Sequence, residues 1–166
     1  MWNEQIIMML LEGIKDTLYM TLKSTLIGYV IGLPMGILLT VTDKDGIHPN
    51  AAVYKVLDVI ANLIRSVPFL ILLIVLIPFT RFLIGRSYGP TATIVPLVIA
   101  AAPYIARMVE SSLKEVDAGV IEAARSMGAS NFTIVTKVML VEARTSLIVG
   151  ATISLGTILG YSAMAG

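Results

Sequence analysis

The sequence specifies an all-α membrane protein, and three observations carry that reading. Of its 166 residues 57% are hydrophobic and only 14% are charged, where a soluble domain carries about a quarter charged residues. Its mean hydropathy is +0.88. The charges leave uncharged runs of 19 residues (24–42), 20 (87–106) and 22 (145–166), and about 20 apolar residues let a helix cross the hydrocarbon core. A soluble fold of this size needs polar residues to cover its surface, so the apolar surplus faces lipid.

Four spans follow, at about 18–42, 59–80, 88–107 and 145–165. The second is the least regular. Its uncharged run, 66–80, has 15 residues and reaches spanning length only by extending back through Arg65 to Val59. Arg65 then lies inside a span, where an ionisable group faces a cavity or a partner or snorkels to the interface along its stem. Pro34, Pro68, Pro78, Pro96 and Pro103 fall within the spans; membrane helices tolerate proline because neighbours re-satisfy the freed backbone groups. Gly28, Gly32 and Gly36, and again Gly156 and Gly160, recur every four residues, the small-residue stripe that lets helices approach closely.

Several function classes drop out. The net charge is +1 with the basic residues scattered, which leaves no patch for a run of phosphates, so no nucleic-acid partner is expected. Without cysteine there is no thiolate chemistry, and with His48 as the single histidine there is no histidine-paired metal site. No G-x-x-x-x-G-K-[ST] loop is present, so the chain has no ATP site of that type. The spans lack paired carboxylates or a Ser-His arrangement, which sets aside an intramembrane enzyme. The start, Met1-Trp2-Asn3-Glu4, has no basic n-region or cleavage site, so no removable signal peptide is read.

Seven Lys and Arg residues (Lys44, Lys55, Arg107, Lys114, Arg125, Lys137, Arg144) fall on one face and four (Lys15, Lys23, Arg81, Arg86) on the other. Basic loops stay cytoplasmic, which puts the N-terminus outside and the 108–144 loop inside, against the vote of Arg81 and Arg86. The stretch 107–144 holds ten charges in 38 residues, too long for a plain connection. Its pattern predicts a helix capped by Asp117, with Val120, Ile121, Ala124 and Met127 on one face, ended by Gly128 in the left-handed region. Ser130 is placed to cap a second helix carrying Phe132, Val135 and Met139. Ala123 and Ala124 keep the surface low enough for another protein to come close, with Glu122, Arg125 and Lys137 around it. Periodicity alone leaves open a docking site and an amphipathic linker lying on the membrane.

Glu122-Ala123-Ala124-x-x-x-Gly128, followed after nine residues by Val138-Met139-Leu140-Val141, resembles the E-A-A-x3-G-x9-I-x-L-P signature of ABC importer permeases. Val138 stands for isoleucine and Val141 for the usual proline. Arg65-Ser66-Val67-Pro68-Phe69, Ile77-Pro78-Phe79-Thr80-Arg81, Ala101 through Glu110 and Gly160-Tyr161-Ser162-Ala163-Met164 extend the likeness over nearly the whole chain, towards the methionine importer permease subfamily.

The resemblance implies a multi-pass permease of the type I ABC importer fold in 13–166, with four of the usual five core spans and a C-terminal truncation. It also implies a bacterial inner-membrane importer of D- or L-methionine. The implied partners are a second permease copy, two ATP-binding subunits carrying the ATP and Mg, a substrate-binding lipoprotein and lipid; this chain itself would hold no cofactor and catalyse nothing. Glu122, Ala123, Ala124, Arg125, Met127, Gly128 and Leu140, in the loop 117–141, are the expected coupling residues. Arg65, Ser66, Tyr161, Ser162 and Met164 are expected to line or gate the translocation path. A permease for another amino acid or small solute is the same-class alternative, and an ATP-independent membrane scaffold or channel the alternative of another class.

Overall fold

The computed structural model describes residues 3–165. Eight helices account for the fold. Helix α1 spans Glu4–Thr42, α2 Ala51–Ser66, α3 Phe69–Val75, α4 Ile77–Ile84, α5 Pro90–Lys114 and α6 Ala118–Ser126. A turn Asn131–Thr133, a π-helical stretch Ile134–Met139 and a turn Leu140–Glu142 run together as α7, and α8 is Arg144–Ala165.

Helix α5 is the axis of the molecule. Of its most apolar stretch 67% is buried, against 33% for α1 and 22% for α8, so α5 is wrapped by the protein while α1 and α8 turn most of their apolar surface outward. It starts cleanly because Gly89 takes a positive φ of 90° and Pro90 fills the first helical turn, where no N–H is needed. Pro96 and Pro103 lie within it without ending it.

The α1–α5 contact depends on the stripe Gly28, Gly32 and Gly36, all buried. A Cβ on Gly32 would lie 2.6 Å from the Ala102 carbonyl oxygen, and one on Gly36 2.6 Å from that of Ala106. Only glycine allows the two backbones to come so near. A Cβ on Gly28 would meet the mobile end of Ile105, Cδ1, at 3.0 Å, a looser fit. The second stripe behaves differently: a Cβ on Gly156 or Gly160 would meet nothing within 4 Å, and on α8 it is Gly150 that packs, against Met108.

Boundaries differ from expectation in three places. Helix α1 begins well before residue 18; at about 1.5 Å per residue its 39 residues measure nearly twice the ~30 Å hydrocarbon thickness. Helix α5 continues two turns past Arg107, so the start of the expected loop belongs to the axial helix. The region 59–80 is not one helix. Helices α2 and α3 meet at 101° because Pro68 drives the preceding Val67 out of the helical region, to φ −87°, ψ 124°. A second break follows at Leu76, just before Pro78 in the first turn of α4.

Gly32→Ala and Gly36→Ala should each destabilise the detergent-solubilised protein by about 1–3 kcal/mol, the usual cost of overpacking, while Gly28→Ala costs visibly less. Thermal unfolding of the three variants side by side checks the order.

Candidate functional site

The loop 117–141 is built from local chemistry. Asp117 caps α6 by accepting from the Gly119 N–H at 2.7 Å. At the other end Gly128 takes φ +83°, its N–H donates to the Arg125 carbonyl, and the Ala129 N–H reaches back to the Ala124 carbonyl at 3.1 Å. That pair of bonds is the Schellman arrangement, which satisfies the carbonyls left over at a helix end. Ser130 then caps α7, accepting from the Thr133 N–H at 3.2 Å. Helix, sharp turn and helix stand where capping rules place them.

The faces are less regular than a 3.6-residue period predicts. Ala124 is buried and Ile121 packs on the same cluster, but Val120 is exposed and Met127 is 82% exposed. Phe132, expected on the second helix with Val135 and Met139, is 78% exposed. The cause in α7 is its π-helical stretch, whose i→i+5 ladder brings Ile134 and Met139 together on the buried side. Leu140 rests partly buried against the same cluster. The outward surface therefore comprises Glu122, Ala123, Arg125, Met127 and Gly128, all exposed, with Phe132 joining them.

Behind this surface Arg125 Nη2 donates to the Ile47 carbonyl at 3.0 Å, tying α6 to the α1–α2 loop. That loop is held to α5 in turn, with Lys114 Nζ 2.6 Å from Asp43 Oδ2. Lys114 also donates to Glu110 Oε1 at 2.8 Å, and Arg107 Nη1 to Glu110 Oε2 at 2.7 Å. Arg107 Nη2 pairs with Asp58 and donates to Asn62 Oδ1 at 3.0 Å; the Tyr54 hydroxyl reaches Glu110 at 3.4 Å. The sequence reading missed this cluster. Its signal was present as two polar stripes, Tyr54, Asp58 and Asn62 four apart on α2 and Arg107, Glu110 and Lys114 at i, i+3 and i+7 on α5, spacings that put side chains on one helix face.

The residues expected to line a path are separated by the fold. Arg65 and Ser66 are exposed at the end of α2, immediately before the bend. Tyr161 stacks on Phe69 of α3, with ring centroids 4.7 Å apart and 10° between planes. Ser162 is buried, 3.3 Å from Thr21 Oγ1 of α1, and Met164 is exposed. His48 is exposed in the α1–α2 loop.

A helical bundle of apolar spans carrying a protruding helix–turn–helix defines a membrane transport component. Residues 29–166 match the family of binding-protein-dependent transport system inner membrane components, and the chain belongs to that family. It is 51% identical over 164 residues to the D-methionine transport system permease protein MetI of Salmonella typhimurium, and equally to that of Escherichia coli K12, covering 99% of this chain and 76% of each relative. Its structure superposes on an inward-facing crystal form of the MetNI methionine ABC transporter with a TM-score of 0.96 at 50% identity, covering 98% of this chain and 76% of that one. A histidine-bound amino acid ABC transporter matches at TM-score 0.64 and 24% identity, a likeness of fold alone.

The Lys114 ammonium beside Asp43 holds the Asp43 carboxyl below its ordinary value, outweighing the opposing effect of burial. Because the folded value is depressed, the stabilisation from this carboxylate is fully present above about pH 4, the usual carboxylate value. It is lost as pH falls through the lower folded value. Unfolding midpoints followed from pH 7 to pH 3 should fall less steeply at the acid end for Asp43→Asn than for the unaltered protein.

Proposed function

We propose that this chain is the permease subunit of an ATP-driven importer that carries methionine, as the D or the L isomer, across the bacterial inner membrane. The observation that carries the reading is the exposed tip of the loop 117–141. Its low alanine surface and protruding Met127 and Phe132 are shaped to enter a groove on another protein, while its inner face is consumed by packing. The naming of relatives 51% identical over 164 residues as D-methionine transport permeases supports the choice of substrate. Two copies of the chain would work with two ATP-binding subunits, which supply the ATP and Mg site, and with a lipoprotein that delivers substrate. The loop faces the cytoplasm and the N-terminus the outside in this reading, as the distribution of Lys and Arg favours.

The chain's own part is mechanical. Closure of the ATP-binding subunits shifts the docked α6, and a permease that alternates between inward and outward openings uses that shift to release substrate. Arg65 and Ser66, at the bend between α2 and α3, and Tyr161, Ser162 and Met164, near the far end of α8, are the residues we assign to the path and its gate. Arg65 offers the charge there, and Met164 is the exposed one of the α8 group.

Two experiments test this. In vesicles holding the permease with its ATP-binding subunits, Gly128→Val should lower methionine uptake per ATP hydrolysed several-fold. The cause is backbone strain of about 1–2 kcal/mol at a left-handed position, because the space around a Cβ there is open. Gly128→Asn should retain most of the coupling; full coupling in the valine variant, or hydrolysis indifferent to the permease, would count against the assignment. For the gate, Met164→Cys in the assembled transporter should crosslink between two copies in at least one nucleotide state; no crosslink in any state removes Met164 from it.

A further inference from the structure

The polar cluster behind the loop does more than fasten helices. Helix α2 has a single buried residue, Ala61, and its apolar residues Val53, Val56, Val59, Ile60 and Leu63 are exposed. Besides the buried Ala61 and the half-buried Leu57 and Ile64, what α2 sets against α5 is the polar stripe Tyr54, Asp58 and Asn62 facing Arg107 and Glu110. The stripe also has two continuations. Towards the loop, it runs from Glu110 to Lys114 and Asp43, through the α1–α2 loop, whose His48 and Asn50 amides bond back to Val41 and Thr42, to Ile47 and so to Arg125 of α6. Away from the loop, α2 leads into the 101° bend and to Phe69, stacked on Tyr161 of α8.

We propose that this chain of ion pairs, Asp43–Lys114–Glu110–Arg107–Asp58, is the linkage through which movement of the coupling loop reaches the bent pair α2–α3, with Asp58 and Arg107 as positioning residues that touch neither substrate nor nucleotide. The proposal rests on the reading that the loop receives the movement of an ATP-binding subunit. Charge-assisted bonds are directional, so a set of them has discrete arrangements, the kind of network through which coupling can travel. Arg107 keeps one donor for another arrangement, because its Nε is buried and bonded to nothing among the described residues.

The test measures methionine uptake and ATP hydrolysis in the same vesicles, for the complete complex of permease and ATP-binding subunits. Asp58→Asn should leave assembly and hydrolysis within about twofold while methionine carried per ATP falls by about fivefold or more, the span of an ordinary coupling free energy. Asp58→Glu should recover most of the ratio. Lys114→Gln breaks the linkage at its other end and should produce the same split, which decides the matter if Asp58→Asn does not assemble. An unchanged ratio in these variants overturns the proposal. So does a parallel loss of assembly, hydrolysis and uptake in both Asp58→Asn and Lys114→Gln, since a simple structural staple behaves that way. Unaltered vesicles whose hydrolysis ignores the permease would overturn the functional reading itself, and the linkage with it.

Discussion

The approach of α1 to α5 is the constraint on which the rest of the fold depends. In a bilayer, lipid tails are as apolar as leucine, so burying apolar surface between helices contributes little and the closeness of packing decides. Three glycines at four-residue spacing flatten one side of α1, and α5 answers with Ala101, Ala102 and Ala106. At that separation the α1 backbone lies against α5 carbonyls, and the side chains of Leu33, Ile37 and Leu39 fill the flanks. Once α1 occupies one side of α5, the others are left for the charged stripe of α2 and for α8. The burial of α5 follows from being enclosed by its neighbours, α3 and α4 as well as α1, α2 and α8, rather than from greater apolarity of its own, since the mean hydropathy of its most apolar stretch, 1.7, falls between the 1.8 of α1 and the 1.6 of α8.

Helix α2 inverts the usual polarity of a soluble helix, with charge inside and valine, isoleucine and leucine outside. Enclosing charge is expensive unless every partner is present, and removing one partner from a buried pair typically costs about 3–5 kcal/mol. Arg107 and Glu110, with side chains 18% and 7% exposed, are the members deep enough for that cost to apply. Asp58 and Lys114, at 32% and 42% exposed, are shallower and set direction more than stability, while Asp43, at 18%, lies as deep as Arg107. The ionic contact also fixes which turn of α2 meets which turn of α5.

What could be read beforehand follows from how local the physics is. Asp117, Gly128 and Ser130 were legible because capping is decided within four residues, and the α1 glycine stripe because its spacing matches a helix face. The second span misled because apolar length was weighed above the effect of Pro68 on Val67, a backbone restriction that no hydropathy window registers. The faces of the second helix were harder to read, because a 3.6-residue period does not hold through Ile134–Met139, whose period is wider. In an α-helix Phe132, Val135 and Met139 share a face; in the π-helical stretch Ile134 takes the place of Phe132. The ion-pair stripe escaped for a different reason. Its two halves lie 49 residues apart, each beside the edge of an expected span, and there charges were counted for topology rather than paired.

The loop itself shows how so small an element can hold its shape. Nine residues of α6 are too few to hold a helix alone, since isolated helices shorter than about 12–15 residues are marginal in water. Caps at both ends supply part of the deficit, and the rest comes from Ala124, Ile134, Met139 and Ala143, which are buried in one cluster with Ile105, Val109 and Leu113 of α5 and Ile158 of α8. That cluster does not stop at a boundary between loop and bundle. The exposed tip at Met127 and Phe132 is thus backed by side chains already packed against the axial helix. The π-helical stretch contributes to this continuity by bringing Ile134 and Met139 to one buried side.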